Sequence, residues 1–170
     1  MTLARLLDAG AWGLIVPHVS SARQARELAA AMRYPPVGVR SAGTGRCVTM
    51  ARNYIEVAND EILFIPQIED LEGIENAEAI ANVEGVDIGF LGPNDLARSM
   101  GVPMGHPEHE AALQRFREGC KRAGKPSGIP ENNISTVRRR IEEGFQFIDF
   151  GNDLRFLEAT VNSGLSELFN

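Results

Sequence analysis

Short apolar runs recur along the chain and predict β-strands. They span residues 13–19, 62–69, 86–91, 126–130 and 145–150, and Ile, Val, Phe and Leu dominate most of them. The runs are nearly continuous rather than alternating with polar residues, which is typical of strands covered on both faces in a parallel sheet. The pattern therefore predicts five parallel strands.

Helical patterns separate these runs. A first amphipathic helix ends at Gly10, and Ser20 or Ser21 is placed to cap the helix after the first run. Further helical patterns cover residues 71–83 and about 152–169. The apolar stripe of the capped helix consists of Ala22, Ala25, Leu28, Ala29 and Met32. The alternation predicts an α/β fold, either an open doubly wound sheet or part of a closed (β/α)8 barrel.

Length and composition narrow the class of protein. The 170 residues predict one domain over residues 1–170. The net charge of −6, from 17 Lys and Arg against 23 Asp and Glu, argues against nucleic acid as a partner, since binding a polyanion needs clustered basic residues. No run reaches the roughly 18 apolar residues of a membrane span, so no membrane partner is expected. Cys47 and Cys120 have no metal-ligand spacing, which indicates free thiols in a reducing cytoplasm.

Two acidic residues follow neighbouring predicted strands. Glu69 ends the second run, and Asp95 lies just after the third run in the turn GPND. Adjacent parallel strands lie about 4.8 Å apart, and β/α proteins build their sites at the carboxyl ends of the strands. Paired carboxylate oxygens suit Mg²⁺ or Mn²⁺ better than zinc. The alternative is that both acids only cap helices or complement their dipoles.

The surroundings of this pair predict an anion site. Gln67 lies two residues before Glu69, so both side chains point to the same face of a strand. Gly92 allows close approach of the backbone, and Asn94 or Asp95 opens a helix whose free N–H groups suit a small carboxylate. A ligand oxygen would satisfy the Gln67 amide, and a hydrogen bond to a neighbouring loop would serve equally.

The residues around the acidic pair resemble a known family. The segments PQIE at 66–69 and VEGVDIGFLGPNDLARSMG at 83–101 are similar to the HpcH/HpaI aldolase/citrate lyase family, which includes 4-hydroxy-2-oxoheptanedioate and 2-dehydro-3-deoxyglucarate aldolases. The segments at 32–40, 125–130 and 145–157 extend the resemblance over essentially the whole chain. It implies a partial (β/α)8 TIM barrel with parallel strands alternating with helices, in which the first three β/α units are absent.

The resemblance also implies a function. It assigns a divalent metal to Glu69 and Asp95, contact with a 2-keto acid to Gln67, and the carboxylate of that acid to Gly92, Asn94 and Asp95. The implied reaction is aldol cleavage of a 4-hydroxy-2-oxo acid to pyruvate and an aldehyde through a metal-stabilised enolate. The proton-transfer His and the oxyanion Arg of the family have no counterpart here, so no catalytic residue is assigned.

Two alternative functions stay open. One is a non-catalytic remnant that binds metal, keto acid or a partner subunit. The other is a citrate-lyase β-type barrel that acts on a CoA thioester. Because strands 13–19 and 145–150 would have unpaired edges in a partial barrel, we also expect a homo-oligomer.

The remaining polar residues of note are expected to lie outside the chemistry. His18 is expected to be a packing or rim side chain, and His106 and His109 are expected to belong to a helix start, since Pro107 suits a first helical position. Arg40 either reaches a substrate carboxylate or is exposed to solvent. The run 138–140 of three arginines is expected to be a solvated helix face.

Overall fold

The chain forms a parallel sheet with helices between its strands, in a computed structural model that describes residues 2–43 and 45–169. The elements in chain order are α1 (Thr2–Asp8), β1 (Gly13–Val16), α2 (Ala22–Met32), α3 (Cys47–Met50), α4 (Tyr54–Glu61), β2 (Leu63–Ile68), α5 (Leu71–Glu75), α6 (Ala77–Ala81), β3 (Gly89–Leu91), α7 (Pro93–Met100), α8 (Pro107–Arg122), β4 (Ser127–Glu131), α9 (Ile134–Glu143), β5 (Phe147–Phe150) and α10 (Asp153–Phe169). Each predicted strand is present, and most are a few residues shorter than their apolar runs.

The order of the strands decides between the two predicted folds. The sheet runs β1-β2-β3-β4-β5, and every neighbouring pair is parallel. A doubly wound sheet reverses its strand order at a switch point, whereas a barrel wall keeps the order of the chain. The sheet is therefore a curled half-barrel, and the predicted partial β/α barrel is confirmed.

Burial differs between the centre and the edges of the sheet. All three residues of β3 are buried, whereas Ile15 in β1 and Phe150 in β5 are 41% and 42% exposed. The apolar runs predict coverage on both faces, and this holds for the centre of the sheet. The edge strands are less covered because each has a described neighbour on one side only.

The helices begin where the sequence predicts them. Ser21 caps α2 through a capping box with Gln24. The helical pattern over residues 71–83 breaks at Asn76 into α5 and α6, although the apolar face continues across the break through Ile74 and Ile80. Within the described part of the chain, no helix combines the length and apolarity needed to cross a bilayer.

Arg140 is buried, so the prediction of a solvated face is wrong for this residue. Its guanidinium binds Glu131 through Nε at 3.0 Å, and Glu110 and Glu143 through Nη1 at 2.8 and 2.9 Å. Arg139 is half-exposed, as the run of charges predicts. The reason is that α9 turns this one position towards α8 and β4, where acidic partners neutralise its charge.

Arg40 is also buried and does not fit either prediction made for it. Its Nη2 binds Asp8 at 2.7 Å, its Nη1 binds the Tyr54 hydroxyl at 3.2 Å, and its guanidinium lies 4.5 Å from the centre of the Tyr34 ring. Asp8 already neutralises its charge. Arg40 therefore ties α1 to α4 instead of meeting a substrate or solvent.

The closing helix α10 presents an apolar face to solvent. None of its described residues is buried. Phe156 packs on Phe150 with ring centres 6.1 Å apart. Five further exposed apolar side chains recur every three or four positions, at Leu154, Leu157, Val161, Leu165 and Leu168, and Phe169 is exposed at the end of the helix. This spacing places them on one face of the helix.

We predict that Arg140→Met lowers the free energy of unfolding at pH 7 by about 3 kcal/mol, because it removes the buried guanidinium that binds three carboxylates. Glu131 then loses its cation, and Glu110 and Glu143 keep only the longer contacts to Arg139, at 3.8 and 3.7 Å. Urea unfolding measures this loss, and Arg138→Met, which changes an exposed arginine on the same helix, is the control.

The loss should depend on pH. The hydrogen bond from Arg140 holds the pKa of Glu110 below its ordinary value of 4.5. A carboxyl group whose pKa is lower in the folded protein than in the unfolded protein stabilises the fold at every pH above its unfolded pKa. This stabilisation is lost as the pH falls through its folded pKa. The difference between the wild type and Arg140→Met should therefore narrow from pH 7 to about pH 3. A difference that stays constant over this range would contradict the assignment to Glu110.

We predict that the 170-residue chain self-associates through α10, because the exposed apolar face favours burial. Light scattering after size-exclusion chromatography should show a mass above 18.5 kDa. The double variant Leu157→Lys with Leu165→Lys should shift the mass towards the monomer. Asn162→Lys with Ser166→Lys adds the same charge at exposed polar positions and should not. A compact monomeric wild type would contradict the prediction.

Candidate functional site

Glu69 lies directly after β2 and its side chain is buried, with 3% of its surface exposed. Gln67 and Ile68 lie opposite Phe90 and Leu91 of β3, and the Gly92 N–H donates to the Ile68 carbonyl at 2.9 Å. The next residues of the two strands, Glu69 and Gly92, therefore leave the sheet side by side. The Glu69 carboxylate sits at the carboxyl-terminal edge of the sheet, where β/α folds build their sites.

Three donors surround the Glu69 carboxylate. Its Oε1 accepts the His18 backbone N–H at 2.9 Å and lies 2.8 Å from His18 Nδ1. Its Oε2 accepts the Gln67 side-chain amide at 2.8 Å. Glu69 and Gln67 thus share one face, as their spacing predicts. Among the described residues, no Arg or Lys forms an ion pair with this carboxylate.

Capping does not account for Glu69. The N-cap of α5 is Asp70, whose side chain accepts the Gly73 N–H at 2.7 Å. The Ser20 hydroxyl holds the other oxygen of Asp70. Because the neighbouring acid caps the helix, Glu69 has no part in starting it.

Gly92 brings the start of α7 against the carboxylate. A Cβ at this position would lie 2.5 Å from Glu69 Oε2 and 2.7 Å from Gln67 Nε2. The φ of −98° is open to any residue, so the lack of space, and not the backbone conformation, requires glycine here. Leu96 is fully buried and anchors the helix at this point.

The first turn of α7 carries Asn94 and Asp95. Both residues are exposed, and the Asp95 side chain keeps 56% of its surface open, with Arg98 Nη1 3.9 Å away. The first N–H groups of a helix have no partner within the helix, and Gly92 has no side chain to accept from them. The amide donors of this turn can accept a small anion, and the turn also carries the exposed acidic side chain of Asp95.

His109 supports this turn from inside the protein. Its ring is fully buried, with Nε2 2.9 Å from the Pro93 carbonyl. Its Nδ1 accepts the Gly105 N–H at 3.4 Å, so Nε2 carries the proton and donates to Pro93. His106 is the N-cap of α8, and Pro107 is its first residue. The prediction that these two histidines belong to a helix start is confirmed.

His18, expected to be a packing or rim side chain, contacts the Glu69 carboxylate directly. Its side chain is 78% exposed, which fits a rim position, yet Nδ1 reaches Glu69. Its φ is +59°, an uncommon conformation for a residue other than glycine. Val16 lies opposite Pro66, so His18 leaves β1 beside the end of β2. Pairing the first and second predicted strands in parallel would have placed His18 next to Glu69.

The chemistry of these groups fits a divalent cation. A buried carboxylate without a permanent cation carries uncompensated charge, and exposed Asp95 on the adjoining turn adds a second hard oxygen donor. Among residues 2–43 and 45–169, no three or more His, Cys, Asp or Glu side chains converge into a group that could hold a metal ion. The contacts between described residues therefore assemble Glu69, Gln67, Gly92 and His18, while Asp95 is positioned by its helix alone.

We predict that Gly92→Ala lowers the free energy of unfolding by about 1–3 kcal/mol, because the new methyl group overlaps the Glu69 and Gln67 side chains. Thermal unfolding measures the change. Gly164→Ala is the control, since a Cβ there meets no atom within 4 Å, and it should leave stability unchanged or raise it because it replaces a glycine inside a helix. Equal stability of Gly92→Ala and the wild type would mean that the start of α7 is not in close contact with the Glu69 carboxylate.

Two known aldolases are similar in sequence to most of this chain. A hydroxypyruvate/pyruvate aldolase of Pseudomonas aeruginosa is 41% identical over 161 residues, covering 91% of this chain and 60% of the relative. A 5-keto-4-deoxy-D-glucarate aldolase of Klebsiella pneumoniae is 39% identical over 157 residues, covering 89% of this chain and 61% of the relative. The chain thus spans about 60% of the length of these relatives.

A solved structure and a family profile agree with these relatives. The structure of an HpcH/HpaI aldolase/citrate lyase family protein from Burkholderia cenocepacia superposes with a TM-score of 0.92 at 33% identity, covering 99% of this chain and 69% of that protein. The profile of the family described as HpcH/HpaI aldolase/citrate lyase matches residues 1–159. With nearly the whole chain matched in sequence and in fold, this protein belongs to the HpcH/HpaI aldolase/citrate lyase family.

Proposed function

We propose that this protein is a divalent-metal-dependent 2-keto-acid aldolase that cleaves a 4-hydroxy-2-oxo acid to pyruvate and an aldehyde. The observation that carries the proposal is the buried Glu69 carboxylate, which meets the start of α7 and has no Arg or Lys partner among the described residues. The two relatives named above are keto-acid aldolases, which supports the reaction class.

In this proposal Glu69 and Asp95 hold Mg²⁺ or Mn²⁺. When bound, the ion would supply Lewis-acid stabilisation of the negative charge that develops on a 2-keto acid. Glu69 is kept in place by its hydrogen bonds to Gln67 and to the His18 backbone. The exposure of Asp95 leaves its carboxylate free to turn towards the ion.

The substrate is proposed to bind through three further groups. The Gln67 amide lies beside Glu69 and has a second N–H for the keto oxygen. The backbone near Gly92 and the free N–H groups of Asn94 and Asp95 would hold the carboxylate of the 2-keto acid, and His109 keeps this turn in place through Pro93. The keto acid thus lies between the strand tips and α7.

A protein that binds metal and keto acid without turnover would use the same residues, so experiment must separate the two. A CoA thioester substrate is less favoured, since both relatives quoted above are named for keto-acid chemistry. We also propose that the protein works in the cytoplasm, because both cysteines are free and disulfides are rare in that compartment.

We predict that Glu69→Gln and Asp95→Asn each weaken Mn²⁺ binding by at least about 10- to 100-fold, because each removes a negatively charged oxygen ligand. An EPR titration of free Mn²⁺ measures the affinity. Pyruvate release from a 4-hydroxy-2-oxo acid, measured with Mn²⁺ added, should fall in both variants. Glu72→Gln changes an exposed acid three residues from Glu69 and is the matched control.

The outcomes separate the alternatives. Metal-dependent pyruvate release that both variants lose supports the aldolase. Mn²⁺ binding without pyruvate release by the wild type supports the binding protein. A wild type that binds no Mn²⁺ at millimolar concentration, or variants that bind it as tightly as Glu72→Gln does, would contradict the site itself.

A further inference from the structure

Among the polar contacts of Glu69 with described residues, only the contact with the His18 imidazole has no role in the proposed function. Its Nδ1 lies 2.8 Å from Glu69 Oε1, while the backbone N–H of the same residue donates to the same oxygen at 2.9 Å. The neighbouring Val19 N–H donates to the Gln67 carbonyl at 3.0 Å. Two backbone hydrogen bonds therefore fix the His18 turn against the end of β2.

We propose that His18 is a protein ligand of the divalent ion beside Glu69. Asp95 does not converge on this pair among the described residues, so its exposed side chain turns towards the ion only when the ion binds. The inference rests on the proposed function, since it extends the same ion site. Two adjacent ligand atoms of an octahedral ion with bonds of about 2.1 Å lie about 3.0 Å apart. The observed distance of 2.8 Å between Nδ1 and Oε1 is close to this value. An ion would take the place of the Nδ1 proton between the two atoms. That proton would pass to solvent, and the neutral ring would carry its remaining proton on Nε2.

Burial and exposure around the pair fit this role. The carboxylate is 3% exposed, so it is desolvated and favours a cation, whereas the imidazole is 78% exposed and opens the pair to solvent. A simple ion pair with so exposed a partner contributes little to the stability of the fold. The backbone nevertheless holds His18 at a φ of +59°, a conformation that costs free energy and turns the ring towards Glu69.

An imidazole ligand changes which metal the site prefers. Two carboxylates alone suit Mg²⁺ and Mn²⁺ alike, but an imidazole nitrogen favours the divalent transition metals over Mg²⁺, and Co²⁺ more strongly than Mn²⁺. In the sequence no His lies beside Glu69 or Asp95, so Mg²⁺ and Mn²⁺ are equivalent predictions. With His18 as a ligand, the protein should bind Mn²⁺ or Co²⁺ in preference to Mg²⁺.

Binding of a histidine nitrogen to Mn²⁺ can be detected spectroscopically without measuring activity. Electron spin echo envelope modulation of the Mn²⁺-loaded full chain should show coupling to ¹⁴N, and ¹⁵N-labelled histidine should change that pattern. The coupling should vanish in His18→Gln and in His18→Asn. Asn tolerates a positive φ, so the second variant keeps the backbone turn. His106→Gln, which changes a histidine at the start of α8, should leave the coupling intact.

Affinity adds a second measurement. Both His18 variants should lose about 10- to 100-fold in Mn²⁺ affinity, and their preference for Mn²⁺ over Mg²⁺ should fall. A wild type that binds Mn²⁺ without nitrogen coupling would overturn the proposal for His18 and leave the proposed function standing. The same holds if either His18 variant binds Mn²⁺ as tightly as the wild type, or more tightly, because the imidazole would then compete with the ion. A wild type that binds no Mn²⁺ would overturn both proposals.

Discussion

The buried carboxylate of Glu69 is the constraint that explains its surroundings. A charge removed from water is costly unless donors or cations surround it. The chain provides the Gln67 amide on one oxygen and the His18 turn on the other. Gly92 supplies a backbone without a Cβ, which brings a helix start and its positive dipole end close to the same charge. Each of these residues would be unexplained if Glu69 were a surface acid.

The order of the strands brings the partners of Glu69 together at one edge of the sheet. Because β1, β2 and β3 are parallel and adjacent in the order of the chain, the residues that follow them meet at one edge of the sheet. His18, Glu69 and Gly92 are these residues. Their convergence requires no long loop, since each follows its strand within two residues. The site is therefore a direct product of the β/α repeat.

The sequence predicts what depends on local pattern. The strands follow from apolar runs, and the cap of α2 follows from a serine at position 20 or 21 just before the apolar stripe, which the structure resolves as Ser21. The shared face of Gln67 and Glu69 follows from the two-residue period of a strand. It does not reveal partners that are distant in the chain. Arg140 needs Glu110, 30 residues away, and the environment of His18 depends on Glu69, 51 residues away. These contacts become visible only when the strand order is known.

The environment of Glu69 differs from that of the acids that bind the buried arginines. Where the described chain neutralises acids for stability, it uses guanidinium groups, as Arg140 does for Glu110, Glu131 and Glu143, and as Arg40 does for Asp8. A guanidinium is always charged and fills its partner's lone pairs, which leaves no place for an ion. Glu69 meets an amide, a backbone N–H and an imidazole instead. These partners hold the carboxylate without permanently cancelling its charge, which is what a binding site for a cation requires.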